Sequence, residues 1–208
     1  MRKFLFAVSA IAALSLLLVS GSSIAEPTSP NEIGLYMTPD GYGATGTLIV
    51  GDPVTVYMVL TRPEKNGIPY ETINAFECRL TFDPIGNLFK LGDIFPPQAI
   101  NIGDNSHIGD GYLEYIVGLG TDLPVTDESV VLIEFLFLHY APGVIEVSLG
   151  PVSAPSIPGW MAYQSVNGDL RVMYSIAGGI HDAPVFLFDG FAIPVETESF
   201  GSVKALYR

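Results

Sequence analysis

The chain has 208 residues, 49% of them hydrophobic, with nine Lys+Arg against 22 Asp+Glu and a formal charge of -13. A balance this acidic excludes the usual nucleic-acid binder, which needs a basic footprint to displace counterions from phosphates, and it opposes docking on an anionic membrane surface. A single cysteine, Cys78, excludes an intramolecular disulfide, so the core alone must hold the fold.

Much of the apolar excess lies at the start. Residues 1–25 combine Arg2 and Lys3, an apolar run over 4–19 and a small-x-small site at Ser23, Ile24 and Ala25, which together describe a secretory signal peptide. The signal takes two of the nine Lys+Arg and no acid, so the mature chain carries seven against 22, a formal -15. No cysteine follows Ala25, so the signal is not of the lipoprotein kind. No later run reaches the roughly 18 apolar residues of a membrane span. The predicted organisation is a signal at 1–25, one domain over 26–190 and a tail over 191–208, and the expected location is the periplasm or outside the cell.

Beyond the signal, apolar residues recur at period two in short runs between Gly, Pro, Asn and Asp, the pattern of an antiparallel sandwich. The first strand is predicted over 33–37. A second, over 53–60, turns Val54, Val56, Met58 and Leu60 inward, and its other face, Thr55, Tyr57 and Val59, is apolar enough to call for a cover. The clearest alternation is INAFECRLTF at 73–82, with Phe76, Cys78, Leu80 and Phe82 on a core face and Glu77, Arg79 and Thr81 opposite. Strands follow over 112–119, 130–140, 144–149, 170–176 and 184–188. VVLIEFLFLHY at 130–140 is the most apolar run of the mature chain and belongs at the centre of a sheet, since on an edge it would invite aggregation.

Turn signals stand between the strands at Pro39-Asp40-Gly41, Asn66-Gly67, Gly109-Asp110-Gly111 and Asn167-Gly168-Asp169. Pro142-Gly143 predicts a hairpin or a short corner. Two long connections remain, over 83–107 and 150–160, and loops of such length carry function or small local elements. A short terminal helix is predicted around 201–207. The fold class is all-β, a single antiparallel β-sandwich of jelly-roll type.

FECRLTFDP at 76–84, an alternation leading into Asp-Pro, resembles the strand and corner of cohesin-type domains, and VLIEFLFLHY followed by PGVIEVSLG resembles the strand pair downstream in them. The resemblance spans about 33–176. IVGLG at 116–120, Leu123-Pro124 and SIPGW at 156–160 are similar to stretches of secreted bacterial proteins of this broad group. What the resemblance implies is a cohesin-like sandwich, related to carbohydrate-binding modules, that binds dockerin modules, sugars or other surface proteins. A dockerin-like calcium repeat, common in cellulosomal scaffolds, does not occur in this sequence.

No catalytic residue is predicted. A Gly-x-Ser-x-Gly elbow is absent and His107, His139 and His181 are scattered singly. His139 reads as a satisfied residue at a strand end and Cys78 as a small buried hydrophobe. Glu134 is the acid in the most apolar surroundings, read as outward-facing or paired. Calcium is the one cofactor the residues allow, with Asp104, Asn105 and Asp110 offering oxygens in NIGDNSHIGDG at a spacing unlike an EF-hand. For a sugar, aromatic rings are the natural platform: Trp160 and Tyr163 flank a Pro/Gly loop, Tyr112 shares an outer face with Glu114, and Tyr57 is a further candidate. The reading that results is a noncatalytic secreted binding or assembly domain, meeting a protein or polysaccharide at the cell envelope or beyond through an edge strand or outer sheet face. A carbohydrate-binding module is the alternative, and a carboxylate-based hydrolase the second alternative.

Overall fold

The computed structural model describes residues 29–41, 47–106 and 108–191, and for 47–49, 190 and 191 the backbone alone. The predicted signal peptide, the terminal helix around 201–207, the tail beyond Phe191 and His107 lie outside the described residues. The strands are β1 (Glu32–Tyr36), β2 (Thr47–Ile49), β3 (Pro53–Thr61), β4 (Glu64–Lys65), β5 (Ile68–Pro69), β6 (Thr72–Asp83), β7 (Leu88–Ile94), β8 (Ala99–Asn101), β9 (Tyr112–Pro124), β10 (Ser129–His139), β11 (Gly143–Gly150), β12 (Met161–Ser165), β13 (Leu170–Ser175) and β14 (Pro184–Phe191).

They form two layers. The back layer runs β1-β3-β10-β7, antiparallel throughout. The front layer is built on β6, the clearest period-two run in the sequence. Strand β9 follows one edge of β6, with β8 beyond it. The other edge is shared, β12 pairing with 73–77 and β11 with 79–83. Strand β14 lies outside β11 and β13 outside β12. Strand β13 also pairs in parallel with β1, which stitches the two layers together along one side. The fold is the all-β sandwich that the alternation predicted.

Side chains alternate as the pleat demands. Phe76, Cys78, Leu80 and Phe82 point from β6 into the core, and a bulge between Ile73 and Ala75 brings Ile73 onto the same face. The layers meet through large rings and sulfur. Phe137 of β10 lies 5.9 Å from Phe82, 5.6 Å from Phe135 and 5.2 Å from Phe188, centroid to centroid, so one ring ties β6, β10 and β14 together. Cys78 Sγ sits 3.5 Å from Met58 Sδ across the core, and complete burial pushes its thiol pKa well above the ordinary range. Cys78 is the small buried hydrophobe of the prediction.

Strand β10 is central in its sheet, between β3 and β7, as its apolar run required. The cover demanded by the outer face of β3 is supplied in part at Gly41, where a side-chain carbon would stand 3.7 Å from Val59 Cγ1. Pro142-Gly143 makes a corner and not a hairpin, because β10 lies in the back layer and β11 in the front. The connection over 83–107 is corrected more deeply. It contains β7 and β8, and β12 stands where no strand was predicted.

Candidate binding groove

Register across the front layer sets out the candidate site row by row. Gln164, Ala75, Gly118 and Ile100 line up across β12, β6, β9 and β8, and the next row holds Ala162, Glu77 and Ile116, with Ile102 beside Ile116. On the outer face, small residues in the middle strands and branched apolar ones at the flank leave a trough. It is a groove of about 480 Å³ lined by Ala75, Ile100, Ile102, Ile116, Gly118 and Leu170 among others. Its wall is unusually exposed for isoleucine, 68% for Ile100 and 77% for Ile102. Outer sheet faces ordinarily alternate to polar residues, so this apolar trough is a departure that asks for an occupant.

Beside the groove the outer face is crossed by the connection 151–160, held down as a strap. Two carboxylates on the outer face do the holding. Glu114 Oε1 accepts from the Ser153 backbone N–H at 2.7 Å and from its hydroxyl at 2.6 Å. Glu77 accepts from the Ser156 N–H at 2.6 Å through Oε1 and from the Ser156 hydroxyl at 2.9 Å through Oε2. Val152 is buried and adds an apolar anchor. The strap then turns at Ile157-Pro158-Gly159-Trp160, where Trp160 N–H donates to Ile157 O at 3.0 Å. Gly159 has φ +79°, the value required at the third position of a type II turn whose second position favours proline. Ser156 thus ties the strap to the rim of the groove, since it also lines the latter.

The chain is similar to cohesin modules. To the second type II cohesin module of the adaptor ScaA scaffoldin of Acetivibrio cellulolyticus the identity is 11% and the TM-score 0.49, over 85% of this chain and all of that one. To a cohesin module from a Clostridium perfringens family 33 glycoside hydrolase they are 9% and 0.46, over 70% and 91%. To a type III cohesin module of the cell-surface anchoring scaffoldin ScaE of Ruminococcus flavefaciens they are 14% and 0.43, over 79% and 88%. No family model matches the chain and no curated protein matches it.

The four aromatic candidates do not form one platform. Trp160 is 36% exposed and meets Tyr174 at 5.7 Å and 75° and His181 at 5.0 Å. Tyr163 is fully buried and its hydroxyl donates to Asn31 Oδ1 at 2.6 Å, so its ring is closed to a ligand. Tyr112 stands on the outer face of β9 with the Arg79 guanidinium 6.0 Å from its ring centroid. Tyr57 belongs to the back layer, paired with Tyr36 and Glu134. In strand β12, Tyr163 faces the core and Ala162, on the other face, is buried as well.

The calcium candidates lie in the loop before β9. Asn105 donates from Nδ2 to Asp93 Oδ2 at 2.6 Å, and its carbonyl accepts from the Lys90 ammonium. Asp104 Oδ1 accepts from the Ser106 hydroxyl at 2.8 Å, and Asp110 lies in the 3-10 turn Ile108–Asp110. Lys90 and Asp93 pair at 2.6 Å with side chains only 12% and 5% exposed, and Tyr115 donates to Asp93 at 3.3 Å. This part of the loop is therefore organised by a cation of the chain itself. Among the described residues no group of three or more His, Cys, Asp or Glu is arranged to hold a metal ion.

The reading of single acids missed what matters most on this face. Glu134 is half-buried, whereas Glu77 and Glu114 are buried on the outer face of the front layer, each in an ordinary alternating strand, and Glu32 is buried in β1. A signal was present: two acids on one outer face, opposite a long connection with two serines three apart. His139 is corrected as well. It is buried, and neither ring nitrogen has a hydrogen-bond partner among the described residues.

Proposed function

We propose that this chain is an exported, noncatalytic binding module that holds a protein partner at the cell envelope or outside the cell, in the groove over β12, β6, β9 and β8. The observation that carries this reading is the groove itself: an apolar trough with isoleucine walls on a sheet face where polar residues are the rule. A partner of matching chemistry presents a narrow apolar ridge to the Ala75 and Gly118 floor. Basic residues on the partner's flanks suit a chain of net charge -13, speeding encounter through long-range attraction. The buried carboxylates support binding over hydrolysis, because Glu77 and Glu114 both hold the strap.

The test compares the wild-type chain with a double variant, Ile100→Glu with Ile102→Glu, as bait in envelope and secreted-protein fractions. The reading predicts a partner retained by the wild type, lost by the double variant and released by salt. Equal retention by the two baits overturns it.

A further inference from the structure

Strand β1 meets β13 only at Tyr174 and Ser175, so the earlier residues of β13 face an open edge on that side. The β4 and β5 hairpin stands across this gap and leaves a recess of about 240 Å³. Asn31, Glu64, Lys65, Leu170, Arg171 and Tyr174 are among its lining residues. At that size it lies below the roughly 300–1,000 Å³ typical for drug-sized ligands and suits a single ring.

The recess has a definite chemical character. Its charges are matched: Lys65 pairs with Asp169 at 2.9 Å, and Glu64 lines the same wall as Arg171. Donors remain in fixed places. Arg171 uses Nε on the Tyr70 hydroxyl at 3.2 Å, so its two terminal NH2 groups are uncommitted among the described residues. Asn31 accepts through Oδ1 from Glu64 N–H at 2.8 Å and from Tyr163, which fixes its amide and leaves its NH2 to donate. Glu64 accepts the Gly67 N–H through Oε1 and keeps Oε2 as an acceptor. Opposite these stand apolar surfaces, Leu170 at 42% and Tyr174 at 39% exposure, with Trp160 bracing Tyr174 edge to face.

Flat apolar surface beside prearranged donors and an acceptor, with no net charge, is the complement of a sugar ring, which has an apolar face and a rim of hydroxyls. The geometry points to a binding site for one neutral pyranose unit of a glycan, its ring face on Tyr174 and its hydroxyls on Arg171, Asn31 and Glu64. The recess is separate from the groove except at Leu170, which borders both.

Saturation-transfer NMR on the purified chain tests this, with methyl glycosides of glucose, galactose, mannose and N-acetylglucosamine as probes and glucuronic acid as the charged control. The expected result is transfer to the ring C–H protons of at least one neutral glycoside, weakened at least tenfold in affinity by Arg171→Met and by Tyr174→Leu. Both variants keep an aliphatic side chain in place, and unchanged thermal midpoints establish that they fold. Arg171→Lys provides a further check, since partial retention follows if hydroxyls are recognised by hydrogen bonds. No transfer to any neutral glycoside, transfer indifferent to both variants, or tighter binding of glucuronic acid than of glucose overturns the proposal.

Discussion

Ser156 grips Glu77 with two donors at once, its backbone N–H on one carboxylate oxygen at 2.6 Å and its hydroxyl on the other at 2.9 Å. Both bonds are charge-assisted, and together they fix the strap where it borders the open groove. Replacing Glu77 by Gln removes the charge from both bonds and puts an NH2 where one acceptor oxygen stood, so one of the two Ser156 donors loses its acceptor. The expected loss is about 2 kcal/mol, or a fall of about 4–8 °C in the thermal midpoint for a domain of this size. Faster amide exchange at Ser153 and Ser156, measured by NMR, accompanies it. A midpoint and exchange profile unchanged from wild type would show that the carboxylate does not hold the strap.

Gly118 tests the groove without disturbing the fold. A side-chain carbon there meets no atom within 4 Å, so a bulky residue enters open space. Gly118→Trp fills the trough floor between Ala75 and Ile100. If the partner's anchor sits there, the loss is that of a central contact, about 2 kcal/mol or roughly thirtyfold in affinity. Calorimetry against the captured partner gives the affinity, and circular dichroism the fold.

The two lysine ion pairs among the described residues predict opposite outcomes for the same substitution. Lys90 and Asp93 are 12% and 5% exposed, whereas Lys65 and Asp169 are 44% and 36% exposed. Lys90→Met takes the cation from the buried Asp93 carboxylate, leaving it only the Asn105 and Tyr115 donors, and is expected to cost about 3 kcal/mol. Lys65→Met removes a solvated pair worth under about 1 kcal/mol. Urea denaturation of both variants reads the difference, and similar midpoints would contradict it.

His139 makes stability depend on pH. Burial lowers its pKa below the ordinary 6.5, with Asp189 pulling the other way less strongly. The imidazole is therefore neutral in the folded chain, and on acidification the unfolded chain takes up the proton first. The stabilising contribution is complete above the unfolded pKa and falls as pH drops through the window below it, by at most about 1.4 kcal/mol per pH unit. His139→Leu removes that slope below about pH 6.5. Denaturation midpoints across that range check it, and a slope equal to wild type would assign the dependence to other groups.

The sandwich was legible wherever one face of a strand is buried and the other solvated, as on β6. It was illegible where that contrast fails. In β7, Phe89, Leu91 and Ile94 are exposed while Lys90 turns inward, which inverts the expected pattern, and a bulge opposite Leu136 shifts the register. In β12, Met161, Ala162 and Tyr163 are all buried, on both faces, so no alternation survives to be read. The groove was illegible for a related reason. Its floor is defined by which residues of four strands stand side by side, and Ala75 beside Gly118 beside Ile100 is a fact of register that no single segment carries.

The central claim is that the partner lies in this groove, and site-specific photocrosslinking tests it most directly. A benzophenone side chain is placed at Ile100 in one variant and, on the back layer, at Thr55 in another. Each is incubated with the envelope and secreted fraction under identical light. The account predicts a discrete crosslinked species from position 100, abolished by excess wild-type chain, and none from position 55. The same species from position 55, or none from position 100, would contradict it.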